Sequence, residues 1–309
     1  MINIFSILLT VGGLAVFEIV SSIDNAVINA EVLGTMQKKS RKWFLLWGLV
    51  TSVFLVRGLL PWVIVWAATP DLGPIGALTA TFSSDPRVSA AVERSAPVLL
   101  IAGGTFLIFL FFNWLFLEPK NYGLRGERFF QSQGVWFFAV VSVLLAIIVW
   151  LALRIHPIMA FGAVIGSTAF FITHGFKQNA EQGEKTLMKK GLSDLSKIFY
   201  LEVIDATFSI DGVLGAFAFT LSVPLILLGN GLGALVVRQI TIGNISRIKK
   251  YLYLKNGAMY SILFLGVIML LDSFGFHIPS WVSPVTTFAV IGYFFLKSKR
   301  ALVLPAPLH

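Results

Sequence analysis

Two segments of the chain place pairs of carboxylates in surroundings that are otherwise apolar. The segment FEIVSSIDNAV contains Glu18 and Asp24, and the segment YLEVIDATFSIDGVL contains Asp205 and Asp211 together with a third acid, Glu202. At an offset of 187 residues SSIDNAV aligns with FSIDGVL, so that Glu18 matches Asp205 and Asp24 matches Asp211. Carboxylates in apolar surroundings are compensated either by protonation or by a bound cation. The repeated motif therefore indicates a site that handles protons or cations.

Helical periodicity gathers the polar residues of the first motif on one side. At about 100° per residue, one stripe of the helix carries Glu18, Ser22, Asn25 and Asn29. Asp24 lies about 120° away from that stripe. Either Asp24 faces another inward surface, or the helix unwinds at Ser-Ile-Asp-Asn so that Asp24 joins the stripe. The periodicity leaves both arrangements open.

The second motif repeats this pattern. One stripe carries Glu202, Asp205 and Ser209, and it ends at Gly212, while Asp211 is again the outlier. A glycine at this point would ease a break in the helix. The two motifs are therefore expected to present their acids in equivalent ways.

The donor atoms of these motifs suit a hard metal ion. The candidate metal ligands are Glu18, Asp24, Asn25, Asn29, Glu202, Asp205 and Asp211. The chain has no cysteine, and neither motif contains histidine. Carboxylate, amide and hydroxyl oxygens favour Mn²⁺, Ca²⁺ or Mg²⁺ over Zn²⁺ or Cu⁺. We expect a divalent cation as ligand, with Mn²⁺, Ca²⁺ and Mg²⁺ all suited to these donors, and no prosthetic group.

The composition requires a lipid bilayer around the elements that carry these motifs. Of the 309 residues 57% are hydrophobic and 13% are charged, with 28 phenylalanines, and the mean hydropathy is +0.84. These values predict an all-α polytopic membrane protein. The N-terminal segment has no basic residues ahead of its apolar run, so we expect a retained helix. Apolar runs predict nine spans, at about 4–30, 43–68, 97–117, 134–153, 157–173, 198–221, 224–240, 258–272 and 281–296.

The basic residues predict an orientation in the membrane. Twenty of the 24 lysines and arginines fall at or after the ends of the first, third, fifth, seventh and ninth spans. This bias predicts an N-terminus outside and a C-terminus inside. The net charge of +9 therefore reports membrane orientation and argues against nucleic acid as a partner.

The repeated motif predicts the organisation of one transmembrane domain. The first and sixth spans would cross in opposite directions, as in the inverted repeats of secondary transporters. We expect a first repeat at about 1–120, linking helices at about 134–173 and a second repeat at about 195–296. No phosphate-binding loop motif is present, which argues against direct coupling to ATP.

Five acids are expected within spans, and Arg57 is the one base expected to oppose them there. Two roles for Arg57 stay open. It would serve as a counter-ion or plug for the site, or its side chain would extend to the membrane interface.

The chain resembles the TerC family of bacterial inner-membrane proteins, and more closely a related bacterial membrane family catalogued as a domain of unknown function. The segments that carry the resemblance are FEIVSSIDNA, WGLVTSVFLVRGLLP, FLIFLFFNWLFLEPK, YLEVIDATFSIDGVLGAFAFT and GLGALVVRQIT. TerC proteins are associated with metal homeostasis, notably Mn²⁺ export, and by name with tellurium resistance. The resemblance implies an ion bound by Glu18, Asp24, Asn25, Asp205 and Asp211. Because Gly212 stands where the first motif has Asn25, that site would be asymmetric.

The sequence is best interpreted as a transporter of the bacterial inner membrane and not as an enzyme. It would move Mn²⁺ or another divalent cation outward by alternating access, with protons as counter-ion. A metal-dependent membrane enzyme is one alternative, although the acids lack a neighbouring nucleophile. The others are a scaffold without transport activity in metal or tellurite resistance, and an exporter of organic cations or amino acids.

Overall fold

The chain is helical throughout its described parts. A computed structural model describes residues 4–48, 50–51, 57–79, 86–187, 192–243 and 248–303. All regular secondary structure in those residues is helical, which confirms the predicted class. The α-helices are α1 (Ile4–Ser21), α2 (Ile23–Gly34), α3 (Lys38–Trp43), α4 (Leu60–Ala68), α5 (Gly73–Thr79), α6 (Pro86–Leu117), α7 (Glu127–Ser132), α8 (Phe137–Leu153), α9 (Pro157–Leu187), α10 (Asp194–Ala216), α11 (Val223–Gly243), α12 (Leu254–Ser273) and α13 (Val282–Val303).

Six helices among the described residues are long and apolar enough to cross a membrane. These are Ile4–Ser21, Glu93–Leu117, Gly134–Leu153, Pro157–Asn179, Val223–Thr241 and Leu254–Ser273. They overlap six of the nine predicted spans, but the first, predicted at about 4–30, is divided at Ser22 into α1 and α2. Two further predicted spans, 198–221 and 281–296, overlap α10 and α13, which have 23 and 22 residues, although α10 ends at Ala216, before the predicted end of its span. The predicted span 43–68 includes residues 49 and 52–56, which lie outside the described residues. The chain is thus a multi-pass membrane protein, and the count of nine spans stays a prediction.

The linking region contains two separate helices. Helix α8 ends at Leu153 and α9 begins at Pro157, the first-turn position where a proline removes no helical hydrogen bond. The two helices then pack against each other. Helix α9 continues well beyond the predicted end of its span, to Leu187, so the polar sequence after the apolar run is helical as well. Lys177 therefore lies within a helix and not in a loop.

The two helical segments that carry the repeated motifs run antiparallel. As residue numbers rise along α1 and α2, the numbers of their neighbours on α10 fall. The contacting pairs are Glu18 with Gly212, Asn25 with Asp205, Thr35 with Lys197 and Gln37 with Asp194. This is the arrangement that an inverted repeat of the motif requires.

The helix pairs α6–α9 and α6–α12 are packed closely through glycines. A methyl group at Gly166 of α9 would overlap the carbonyl of Ala102 in α6. A methyl group at Gly104 would lie 2.9 Å from the carbonyl oxygen of Gly266 in α12. Because the obstacles are backbone atoms, relief requires the helices to separate.

We therefore expect Gly166→Ala to destabilise the protein by about 1–3 kcal/mol, as overpacking does in tight interiors. Gly175 on the same helix is a matched control, since a methyl group there would meet nothing within 4 Å. Gly175→Ala should leave stability unchanged or raise it by up to about 1 kcal/mol, because alanine is the better helix former. Thermal unfolding in detergent, followed by tryptophan fluorescence, compares the two variants. Equal melting temperatures would contradict this account of the packing.

Candidate cation site

The first group of predicted residues forms a cluster closed to solvent around Arg57. Its Nη2 lies 2.6 Å from Oε1 of Glu18, to which Nε also donates a hydrogen bond of 2.9 Å. Its Nη1 lies 3.5 Å from Oδ2 of Asp205. The side chains of Arg57, Glu18 and Asp205 are 3%, 1% and 9% exposed. We call these three residues the sealed cluster. Arg57 is thus the buried counter-ion of two acids that the sequence repeat relates, and not an interfacial residue.

Amide and hydroxyl groups complete the sealed cluster. The Nδ2 group of Asn25 donates a hydrogen bond to Oδ1 of Asp205, and Ser22 Oγ donates one of 2.8 Å to Oε1 of Glu18. Asn29 is buried as well, but its Oδ1 has no hydrogen-bond partner within the described part of the chain. The predicted stripe therefore exists, and two of its polar groups hold the carboxylates.

A second arginine lies beside the sealed cluster. Arg238 on α11 donates a 2.8 Å hydrogen bond to the carbonyl of Phe44 and interacts electrostatically with Glu202 and Asp205. Both Glu202 Oε1 and a guanidinium nitrogen of Arg238 border the place that a side chain on Gly48 would occupy. The prediction that Arg57 alone opposes the intramembrane acids is therefore wrong. Arg238 was assigned to the end of a span, but α11 continues past it to Gly243.

The second group of acids lines a separate cavity, which we call the vestibule. Its volume is about 30 Å³, and its polar walls are formed by Ser21, Asp24, Glu118, Lys177, Asp211 and Lys255. A water molecule needs at least about 10–15 Å³, so this space suits an ion with little of its hydration shell. Apolar residues of α1, α6 and α12 form the remaining walls.

Lys255 connects two of the carboxylates in the vestibule. Its Nζ lies 2.7 Å from Oδ2 of Asp24 and 2.8 Å from Oε2 of Glu118. The side chains of Lys255, Asp24 and Glu118 are 35%, 41% and 23% exposed, so they are less enclosed by protein than those of the sealed cluster. Burial would raise the pKa of Glu118, but the ammonium groups of Lys255 and Lys177 hold it below its usual value. Glu118 is therefore ionised at neutral pH.

Asp211 differs from the other acids of the vestibule because it lacks a direct partner. Its carboxylate has no hydrogen bond or ion pair with any described residue, although Lys177 attracts it and Glu118 repels it at longer range. A carboxylate inside a helical bundle is costly unless a positive charge or a proton compensates it. Among the described residues, no direct contact therefore supplies the positive charge or the proton that Asp211 requires.

Comparison with known proteins assigns the chain to a family. A family model described as "Protein of unknown function (DUF475)" matches residues 23–302. The chain belongs to this family. The uncharacterized membrane protein ycf78 of Chlorella vulgaris is 29% identical over 156 residues, which cover 48% of this chain and 19% of that protein. This chain thus aligns with about a fifth of that relative's length. No solved structure matches the chain.

The match agrees with the expected relation to a membrane family of unknown function. Resemblance to TerC proteins stays a prediction, because neither the DUF475 family nor the algal relative bears on it.

In this DUF475 protein the predicted ligands separate into two groups on different faces of the motif helices. Glu18, Asn25 and Asp205 meet at the sealed cluster, whereas Asp24 and Asp211 line the vestibule. Acids at equivalent positions of the repeat therefore lie at the same feature of the structure. Among the described residues no group of three or more acids and histidines is spaced to hold a metal ion. A metal ion held by all three carboxylates of the vestibule, or by ligands from both groups, would therefore require a rearrangement of these side chains.

The structure also decides between the two arrangements that periodicity left open for Asp24. Asp24 faces a second inward surface, the vestibule, and the helix does not unwind around it. Only Ser22 departs from helical assignment, and hydrogen bonds Ser22 N to Glu18 O (3.1 Å) and Ala26 N to Ser22 O (2.9 Å) persist. Helix α10 passes through Gly212 without a break. The unwinding alternative is therefore wrong for both copies.

Three residues of the vestibule were missed in the sequence. Glu118, Lys177 and Lys255 fall at the ends of apolar runs, where charged residues are usually solvated. Glu118 directly follows α6, and Lys255 is the second residue of α12, so both face the bundle from helix ends. The signal in the sequence that could have identified Glu118 is its position in FLEPK, directly after a long aromatic run.

Proposed function

We propose that this DUF475 protein is a secondary transporter of a cation that binds in the vestibule. One observation carries the proposal. A cavity inside a helical membrane protein has three carboxylates in its walls, and one of them, Asp211, has no direct partner among the described residues. Such groups in membrane proteins usually mark ion or proton pathways.

The antiparallel motif helices support alternating access. Each of the two motif segments, α1 with α2 and α10, contributes one acid to the sealed cluster and one to the vestibule. Rocking of this helix pair would open one group to water while closing the other, as inverted repeats allow. The basic loops predict that the vestibule faces the cytoplasm of a bacterial inner membrane.

We further propose that the cation is divalent, with Mn²⁺ preferred, and that it leaves in exchange for protons. Oxygen donors favour Mn²⁺, Mg²⁺ or Ca²⁺, and the resemblance to TerC proteins favours Mn²⁺ export among these. The three carboxylates and two ammonium groups of the vestibule carry a formal charge of −1 when ionised. The same carboxylates would bind protons once the metal has left, which requires no separate proton path.

Ion-by-ion flux into proteoliposomes across an imposed pH gradient tests the proposal. With an acidic lumen, we expect Mn²⁺ to accumulate and protons to leave the lumen, since the two ions exchange. Protein-free liposomes give the leak, and liposomes with equal pH on both sides give the undriven rate. Flux of no divalent cation above the leak would overturn the proposal. The sealed cluster, in which both acids are paired, favours the alternative of a scaffold without transport activity, and that result would support it.

A further inference from the structure

The ammonium group of Lys255 sits where a cation would be expected. It bridges Asp24, from α2, and Glu118, from the end of α6, at 2.7 and 2.8 Å, while Lys255 itself belongs to α12. An ammonium group has three donors and no acceptor, so it binds carboxylates as a small cation does. Lys255 thus joins three elements of the bundle through charge alone.

We infer that Lys255 is a tethered competitor of the transported cation, bound to the same carboxylates and released when the cation enters. This inference rests on the proposed function. It identifies the event that couples binding to rearrangement, because release of Lys255 disconnects α12 from α2 and from the end of α6.

Charge favours such an exchange for a divalent ion. With Lys255 in place the ionised groups of the vestibule sum to −1, counting three carboxylates, Lys177 and Lys255. A divalent cation in place of the ammonium group brings that sum to zero. A monovalent cation would leave it at −1, and a low-dielectric site disfavours residual charge.

The side chain of Lys255 also has room to leave. It is 35% exposed although it makes two ion pairs, and a lysine stem is flexible. The released ammonium group would therefore have open space to enter beside the vestibule.

Amine labelling of the wild-type protein tests the inference directly. Purified full-length protein in detergent is treated with a water-soluble acylating reagent with and without MnCl₂, and modified peptides are quantified by mass spectrometry. We expect Mn²⁺ to raise the modification of Lys255 several-fold, because an ion-paired amine reacts slowly. Lys249 is the matched control, since it pairs with Glu31 at 2.8 Å on the surface. Unchanged labelling of Lys255, or an equal rise at Lys249 from simple screening, would overturn the inference.

Affinity provides a second readout. In Lys255→Met the competing ammonium group is absent. The Kd for Mn²⁺, measured by calorimetry, should therefore fall by about tenfold or more, which is the effect of removing one modest competing interaction. Lys255→Arg keeps the charge and should bind Mn²⁺ no more tightly than wild type. If Lys255→Met does not fold, the labelling result decides.

Failure of the inference differs from failure of the proposed function. Wild-type protein that transports Mn²⁺, while Lys255→Met binds it with wild-type affinity, contradicts only the role of Lys255. Wild-type protein that transports no divalent cation contradicts the function itself.

Discussion

Replacing Arg57 with methionine is expected to remove about 3–5 kcal/mol of stability, enough to leave little folded protein, because truncating one partner of a buried ion pair strands the other. Glu18 would lose a 2.6 Å ion pair and a 2.9 Å hydrogen bond to Arg57 at a position where its side chain is 1% exposed. Asp205 would lose its 3.5 Å contact with the same guanidinium. Thermal unfolding in detergent and the monodisperse fraction on size exclusion measure the loss.

The double variant Arg57→Met with Glu18→Gln distinguishes a stranded charge from lost packing. It should recover more than half of the lost stability, because Glu18 no longer carries a charge and Asp205 keeps its hydrogen bond from Asn25. Lys249→Met is the matched control, since its ion pair with Glu31 has side chains 46% and 43% exposed. Such exposed pairs contribute about 0–1 kcal/mol. A small effect of Arg57→Met would mean that the sealed cluster opens to water in solution.

Much of the site could be predicted because repeat and periodicity are properties of local sequence. The offset between the motifs paired Glu18 with Asp205 and Asp24 with Asp211, and the structure places the members of each pair around a common feature. Helical angle alone separated Asp24 from the stripe of Glu18. The fold class followed from hydropathy for the same reason, since a bilayer admits few alternatives to helices.

The partners of the acids could not be predicted, because they depend on where helices end. Lys177, Arg238 and Lys255 each lie close to the end of an apolar run, and hydropathy assigns such residues to loops. The structure continues α9 and α11 beyond these runs and starts α12 just before Lys255. Basic residues that count toward membrane orientation therefore also compensate acids within the helical bundle, and the two roles are indistinguishable in the sequence.

Asp211→Asn is expected to reduce Mn²⁺ flux in proteoliposomes by about a hundredfold. This is the upper end of the losses in metal affinity or activity that follow when groups supporting a metal ion are removed. Its carboxylate is the acid of the vestibule without a direct partner among the described residues. The asparagine amide therefore breaks no direct contact, but it lacks the charge that binds a cation. Asp24→Asn should reduce flux as strongly, and cells carrying either variant should lose tolerance to Mn²⁺. Both should still insert in the membrane, which membrane fractionation tests. Glu31→Gln, which alters an exposed ion pair, is the matched control and should transport normally.

Stability separates a binding role of Asp211 from a structural one. The protein loses stability when an acid that holds its fold together can no longer make its ion pair. The replacement of Arg57, the partner of Glu18 and Asp205, should show this effect. Asp211 makes no hydrogen bond or ion pair with the described residues, so Asp211→Asn removes the cost of a buried charge without breaking a direct contact. Its melting temperature should therefore equal or exceed that of wild type while flux is lost. A lower melting temperature with wild-type flux would instead identify Asp211 as a structural residue and remove the main support for cation binding in the vestibule.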